Sequence, residues 1–160
     1  MGERAEALAR QFERMNDAFI ATVEGCPEER WSARCPDTGW PTNVQAHHIA
    51  GGLALFPPML AAIVEGDPAP PLDLATMNER NAKHAADYAQ VTKENVLADL
   101  HRNGAVAAAW IRRLSDAELD RTGTVAAGMP AFSVALLIQY GLMGEMERHG
   151  GSLREAIGAV

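Results

Sequence analysis

Apolar residues recur at steps of three and four along most of the chain, and that spacing predicts helices. Over residues 3–24, Ala5, Leu8, Phe12, Met15, Phe19 and Val23 mark one stripe, while Glu3, Arg4, Arg10 and Glu13 fall largely off it. Gly25 is the expected stop. Residues 25–41 hold three prolines and two cysteines and read as a loop with a short turn at Glu28–Ser32. Trp31 and Trp40 are expected to cover the core. A second helix begins at Thr42 or Asn43, either of which can cap it. Its expected face is Val44, His48, Gly51 or Gly52 and Leu55. Pro57–Pro58 should kink or end it, leaving Leu60–Val64 as a last stretch and GDPAPP as the exit loop.

Residues 73–90 predict a helix of a different kind, rich in Asp73, Asn78, Glu79, Arg80, Asn81, Lys83, His84 and Asp87. Thr92 is placed to cap a helix over 93–114, whose stripe is Leu97, Leu100, Gly104, Ala107, Ile111 and Leu114. Ser115 and Glu118 form a capping-box pattern that adds one turn, ending near Asp120. TGTVAAGMP reads as a loop, and the last helix runs from about Ala131 to Ile157. No segment alternates long enough for a convincing strand, and there is no internal repeat or low-complexity linker. With the polar segment set aside, four long amphipathic helices remain. The prediction is an all-α fold, a four-helix bundle, in one domain spanning residues 1–160.

Composition narrows the function classes. The formal net charge of −7 opposes a nucleic-acid binder, which needs a basic surface, and opposes docking on anionic lipid. No apolar run is read as a membrane span, and the charged N-terminus is not a signal peptide. Cys26 and Cys35 lie in one loop without C-x-x-C spacing and are expected to be free thiols. The expected location is cytoplasmic. No phosphate-binding glycine loop or nucleophile elbow is found.

The chemistry concentrates near the C-terminus. Glu145 and His149 stand four residues apart on a helix, hence on one face, along the stripe of Ile138, Leu142 and Ala156. A carboxylate and an imidazole facing inward need a partner. A divalent metal is one; mutual ion pairing, or Glu145 turned to solvent beside Glu147 and Arg148, is the other reading. His48 is the candidate third ligand, with a core histidine bonded to a carbonyl as its alternative. His47 is rotated about 100° from it and is assigned outward or to a supporting position. Asn81 and His84 share a face and either line a pocket or belong to a solvated helix. His101 is assigned to the surface, and Trp110 and Tyr140 to core or interface.

In order and spacing, four segments resemble the DinB-like superfamily of metal-binding four-helix bundles. WPTNVQAHHIA is similar to the family's tryptophan followed eight positions later by a ligand histidine, here Trp40 and His48. NAKHAADYAQVTKENVLADL is similar to its third-helix Asn and the helix that follows; IRRLSDAELDRTG to its LSDEEL turn; LIQYGLMGEMERHGGSLREAIG to its last helix, which commonly reads His-x-x-x-His. The resemblance spans about residues 5 to 157. It implies a metal held by His48, Glu145 and His149, with Asn81, His84 and Trp40 lining the pocket.

One departure stands out: Glu145 occupies the place of the family's first histidine. A carboxylate still coordinates divalent ions but leaves the site less positive, so a bound water or thiol loses its proton less readily. The family includes mycothiol- and bacillithiol-dependent transferases and maleylpyruvate isomerase-like proteins. The resemblance therefore implies a metal-dependent enzyme (Zn, Ni, Mn or Fe) that activates a thiol or water for transfer, isomerisation or hydrolysis of a small molecule. A low-molecular-weight thiol would be its co-substrate. The alternative is a non-catalytic metal- or ligand-binding bundle. A homodimer is implied in either case.

Overall fold

The computed structural model describes residues 2–67 and 70–159. Helix α1 (Glu3–Glu24) follows its predicted span and buries Ala5, Leu8, Phe12, Phe19 and Val23. Asn16 joins them on the buried face. The loop after it contains one 3-10 turn, Glu28–Arg30. Helix α2 (Thr42–Glu65) runs through Pro57 and Pro58 without ending. Neither proline can donate a helix bond. Burial of Pro57, Leu60 and Ile63 holds the helix together beyond them.

Neither Thr42 nor Asn43 caps α2 with its side chain. Their backbone N–H groups donate instead to the Ala33 and Trp31 carbonyls, at 2.9 Å each. The side chains are free to reach outward: Thr42 Oγ1 donates to the Arg30 carbonyl and Asn43 Nδ2 to the Ala89 carbonyl. The buried face also differs from the predicted one. It is Val44, Ala46, His47, Ile49, Ala50, Leu53 and Leu60, while Leu55 is exposed. By length and composition α2 could cross a membrane, contrary to the sequence reading, with mean hydropathy 1.4 over its 18-residue window. Here it packs against α4 (Lys93–Arg113) and the last helix.

Helix α3 (Leu74–Asp87) is capped by Asp73, which accepts from the Thr76 N–H at 2.7 Å. It buries no residue, as its polar sequence requires, and lies against α2. Thr92 caps α4, and the predicted capping box of Ser115 and Glu118 closes both ways at α5 (Asp116–Leu119). The following loop holds a short antiparallel pair, β1 (Thr122–Gly123) with β2 (Phe132–Ser133), which the sequence reading left out. Ser133 then caps the last rod, three residues later than predicted from Ala131. That rod starts as α6 (Val134–Leu136), widens into a π-helix over Leu137–Met143, and resumes as α7 (Gly144–Ile157).

The bundle closes in the ring order α1, α4, α2, α7: α1 packs on α4 and α7, and α2 packs on the same two. Its interior is Phe12, Leu53, Leu100, Ile111, Ile138 and Leu153. At Gly104 the α1–α4 approach is so close that a Cβ would lie 2.3 Å from Asn16 Nδ2. Trp31 covers one end, donating from Nε1 to the Val91 carbonyl at 3.0 Å. α2 and α7 are ring neighbours, so residues early in α2 can meet residues of α7.

Candidate metal centre

His48 lies two turns into α2, Glu145 at the start of α7 and His149 one turn later. Each can offer one ligand atom such that the three atoms lie within 4.8 Å of one another. The predicted trio is therefore brought together. The π-helix ends one residue before Gly144, directly ahead of Glu145. Its wider turn lets Ile138, Leu142 and Met143 all face inward before the α-helical period resumes.

His149 is buried, at 3% exposure, and both ring nitrogens are engaged. Nδ1 lies 2.7 Å from Asp37 Oδ2. Nε2 faces Glu145 Oε2 at 3.0 Å. Each ring nitrogen thus faces a carboxylate, and with Nδ1 held by Asp37 it is Nε2 that a neutral, ligating ring would offer an ion. Arg148 Nη2 donates to Glu145 Oε2 at 2.8 Å and lies 2.8 Å from His149 Nε2. The Asp37 carboxylate is placed by Ser152, whose Oγ donates to Oδ1 at 2.5 Å and accepts from the Asp37 N–H at 3.2 Å. Fully buried Gln45 ties the same region together: Nε2 donates to the His149 carbonyl at 3.0 Å, and Oε1 accepts from Thr38 Oγ1 at 2.6 Å.

Charge follows from these contacts. Glu145 is held at about 2, foremost by its hydrogen bond with His149 and further by Arg148, against the cost of burial. Burial, helped by the neighbouring His149 and His84, pushes His48 down to about 4. Burial pushes the Asp37 carboxyl up, but bonds with Ser152, His149 and Gln45 outweigh it and leave it below the usual range. A carboxylate and two neutral imidazoles are the forms in which these groups ligate a divalent ion. The donor set, and the Asp37 partner on the second nitrogen of His149, fit such an ion.

Around His48 the aromatic residues make a wall. Trp40 meets its ring edge-on at 5.2 Å, and His84 does so at 5.4 Å. His84 thus reaches the site from α3, while Asn81 stands one turn earlier on that helix, half-buried. His47 is buried, at 7% exposure, rather than outward. It stacks on Tyr88 at 3.6 Å and sets Nδ1 3.5 Å from His84 Nε2. A cavity of about 440 Å³ opens beside it, lined also by Tyr88, Asn95, Asp99 and Arg102.

Asp37, Arg148, Gln45 and Ser152 were not singled out in the sequence. For Asp37 the one available signal was a carboxylate in the loop that leads to Trp40. Both cysteines are buried and free, and burial pushes the Cys35 thiol up to about 12, so neither is a ready nucleophile.

The comparisons agree with this architecture. The crystal structure of an uncharacterized protein from Clostridium difficile 630 superposes with a TM-score of 0.69 at 16% identity, over 97% of this chain and 96% of that one. At that identity the likeness concerns the fold. No curated protein matches the sequence. The family description "DinB superfamily" matches residues 11–150, most of the length and all of the bundle's site-bearing segments. The chain therefore belongs to the DinB superfamily.

Proposed function

We propose that the protein is a metal-dependent enzyme of the DinB type, with a divalent ion held by His48, Glu145 and His149. It would activate a thiol or a water for transfer, isomerisation or hydrolysis on a small molecule. The observation that carries this reading is the convergence of the three side chains from two helices within 4.8 Å. Zn, Ni, Mn and Fe all suit a donor set of two imidazoles and one carboxylate. When bound, the ion supplies Lewis acidity that lowers the pKa of a thiol or water.

The chain's own residues supply the rest. Asp37 holds the Nδ1 proton of His149 and so fixes the ring with Nε2 forward. Trp40 and His84 shield His48 from water and fix its plane. Arg148, half-exposed, pairs with Glu145 at 2.8 Å. The direct test is to reconstitute the purified protein with Zn, Ni, Mn or Fe and measure bound metal in the wild type, His48→Ala and His149→Ala. One tightly held equivalent in the wild type and loss in both variants is expected; no retained metal in the wild type would remove the proposal.

A second reading is a non-catalytic metal- or ligand-binding dimer. It is favoured by the glutamate in place of the family's histidine and by Arg148, which already neutralises that glutamate. Leu55 and Tyr140, 72% and 75% exposed, offer apolar surface that a second copy could cover. Chelator melts separate the readings: a large loss of melting temperature with no thiol binding at the ion marks a structural site. Light scattering near the 17.2 kDa of one chain would contradict the dimer.

A further inference from the structure

Arg148 sits on α7 between the two proposed ligands of that helix. Its Nη2 is 2.8 Å from Glu145 Oε2 and 2.8 Å from His149 Nε2, while those two atoms are 3.0 Å apart. An ion ligated by both atoms must stand within about 2.2 Å of each. The guanidinium nitrogen closes on the same two atoms. A neutral imidazole nitrogen has a single lone pair, lying in the plane of the ring. Asp37 holds the other nitrogen, so Nε2 is what His149 has to offer a metal, and Arg148 stands against it. The guanidinium and a metal ion are mutually exclusive partners of His149.

From this geometry we infer that Arg148 is a built-in competitor for the metal position, a guanidinium latch that must leave Glu145 and His149 before an ion can enter. The inference rests on the metal reading of the trio. The latch has somewhere to go. The Arg148 side chain is 52% exposed, and its Nη1 already lies 3.4 Å from Asp37 Oδ2. Rotation about the outer bonds of the side chain frees Nε2 and leaves the charge beside Asp37 or in water. Loading the site is then an exchange of one cation for another, and apparent metal affinity is the difference between the two. The Glu145 carboxylate is compensated by the guanidinium before the exchange and by the ion after it.

Competition titrations of Zn²⁺ and Co²⁺ against a chelator of known affinity test this in the full chain. Arg148→Gln should bind at least about tenfold tighter than wild type, since each factor of ten is about 1.4 kcal/mol. Arg154→Gln removes the same charge from the same helix and should change affinity by no more than about twofold, because water and salt screen the charge of an exposed side chain. In the wild type, modification of Arg148 by an arginine-specific dicarbonyl, followed by peptide mass spectrometry, should accelerate when Zn²⁺ is bound. Unchanged or weaker binding by Arg148→Gln, equal tightening by Arg154→Gln, or no change in dicarbonyl reactivity overturns the latch while leaving the metal site standing. Failure of wild type and Arg148→Gln alike to bind either ion removes the metal reading, and the latch with it.

Discussion

Asp37 Oδ2 lies 2.7 Å from Nδ1 of His149, a contact between residues 112 positions apart. This bond joins the loop ahead of α2 to the middle of α7. It settles which nitrogen of His149 faces the site, and it places a second carboxylate behind the proposed ligands. Bonds of this kind orient ligating imidazoles and raise their basicity.

Asp37→Asn therefore weakens metal binding by about 10–100-fold without abolishing it, the usual cost of removing such a partner. Isothermal titration with Zn²⁺ is the measurement. Equal affinity in the variant and the wild type would show that Asp37 plays no part in presenting His149.

Acidification destabilises the chelator-treated protein in two stages. His48 has a folded pKa of about 4 against an ordinary 6.5, so the unfolded chain binds its proton first. Stability falls as pH drops from about 6.5 toward 4. Glu145 is depressed to about 2 from 4.5, so its contribution is present above 4.5 and is lost as pH falls toward 2. The Glu145 side chain is 44% exposed, and water reduces what that shift is worth. Urea melts across this pH range should show a first decline that His48→Gln reduces, the remainder coming from His47 and His84, which burial also holds below the ordinary histidine range. A flat profile between pH 6.5 and 4 would contradict the burial argument for His48.

Gln45 carries a structural load in the same region. Truncation to Ala leaves the Thr38 hydroxyl and the His149 carbonyl each without a side-chain partner. The expected loss is about 1–3 kcal/mol in chemical denaturation. A loss below measurement error would mean that water replaces both bonds without cost.

Gly104 and Asn16 test the α1–α4 seam. Alanine at 104 normally favours a helix, but here its Cβ would meet Asn16 Nδ2 at 2.3 Å. Gly104→Ala should cost about 1–3 kcal/mol as overpacking. In an Asn16→Ala background that cost should shrink or change sign. A double-mutant cycle with no coupling would show that the seam opens freely.

Much of this was legible in residue order because it is local. The stripes of α1 and α4, the Thr92 cap and the Ser115–Glu118 box depend on neighbours three or four positions away, and each appears where the pattern puts it. Glu145 and His149 share a face for the same reason. What escaped was tertiary. Asp37 finds its partner across 112 positions, and nothing in a loop aspartate announces that. Arg148 looks like an ordinary solvated arginine until its Nη2 is seen against Nε2 of His149. Helix α2 continues past Pro57–Pro58 because burial there outweighs two missing donors. The π-helical turn before Glu145 has no sequence signature, since it depends on what the widened turn packs against. His47 faces inward because α3 brings His84 and Tyr88 to meet it, and the placement of α3 is not written in α2.

The central claim is that one cation is shared by His48, Glu145 and His149. Anomalous diffraction from crystals of the metal-loaded protein, recorded at the absorption edge of the bound metal, addresses it directly. The account predicts a single strong peak about 2.0–2.2 Å from a nitrogen of each histidine and an oxygen of Glu145, with the Arg148 guanidinium turned away. A peak elsewhere, or Arg148 still seated on His149 Nε2 with no anomalous signal beside it, would contradict it.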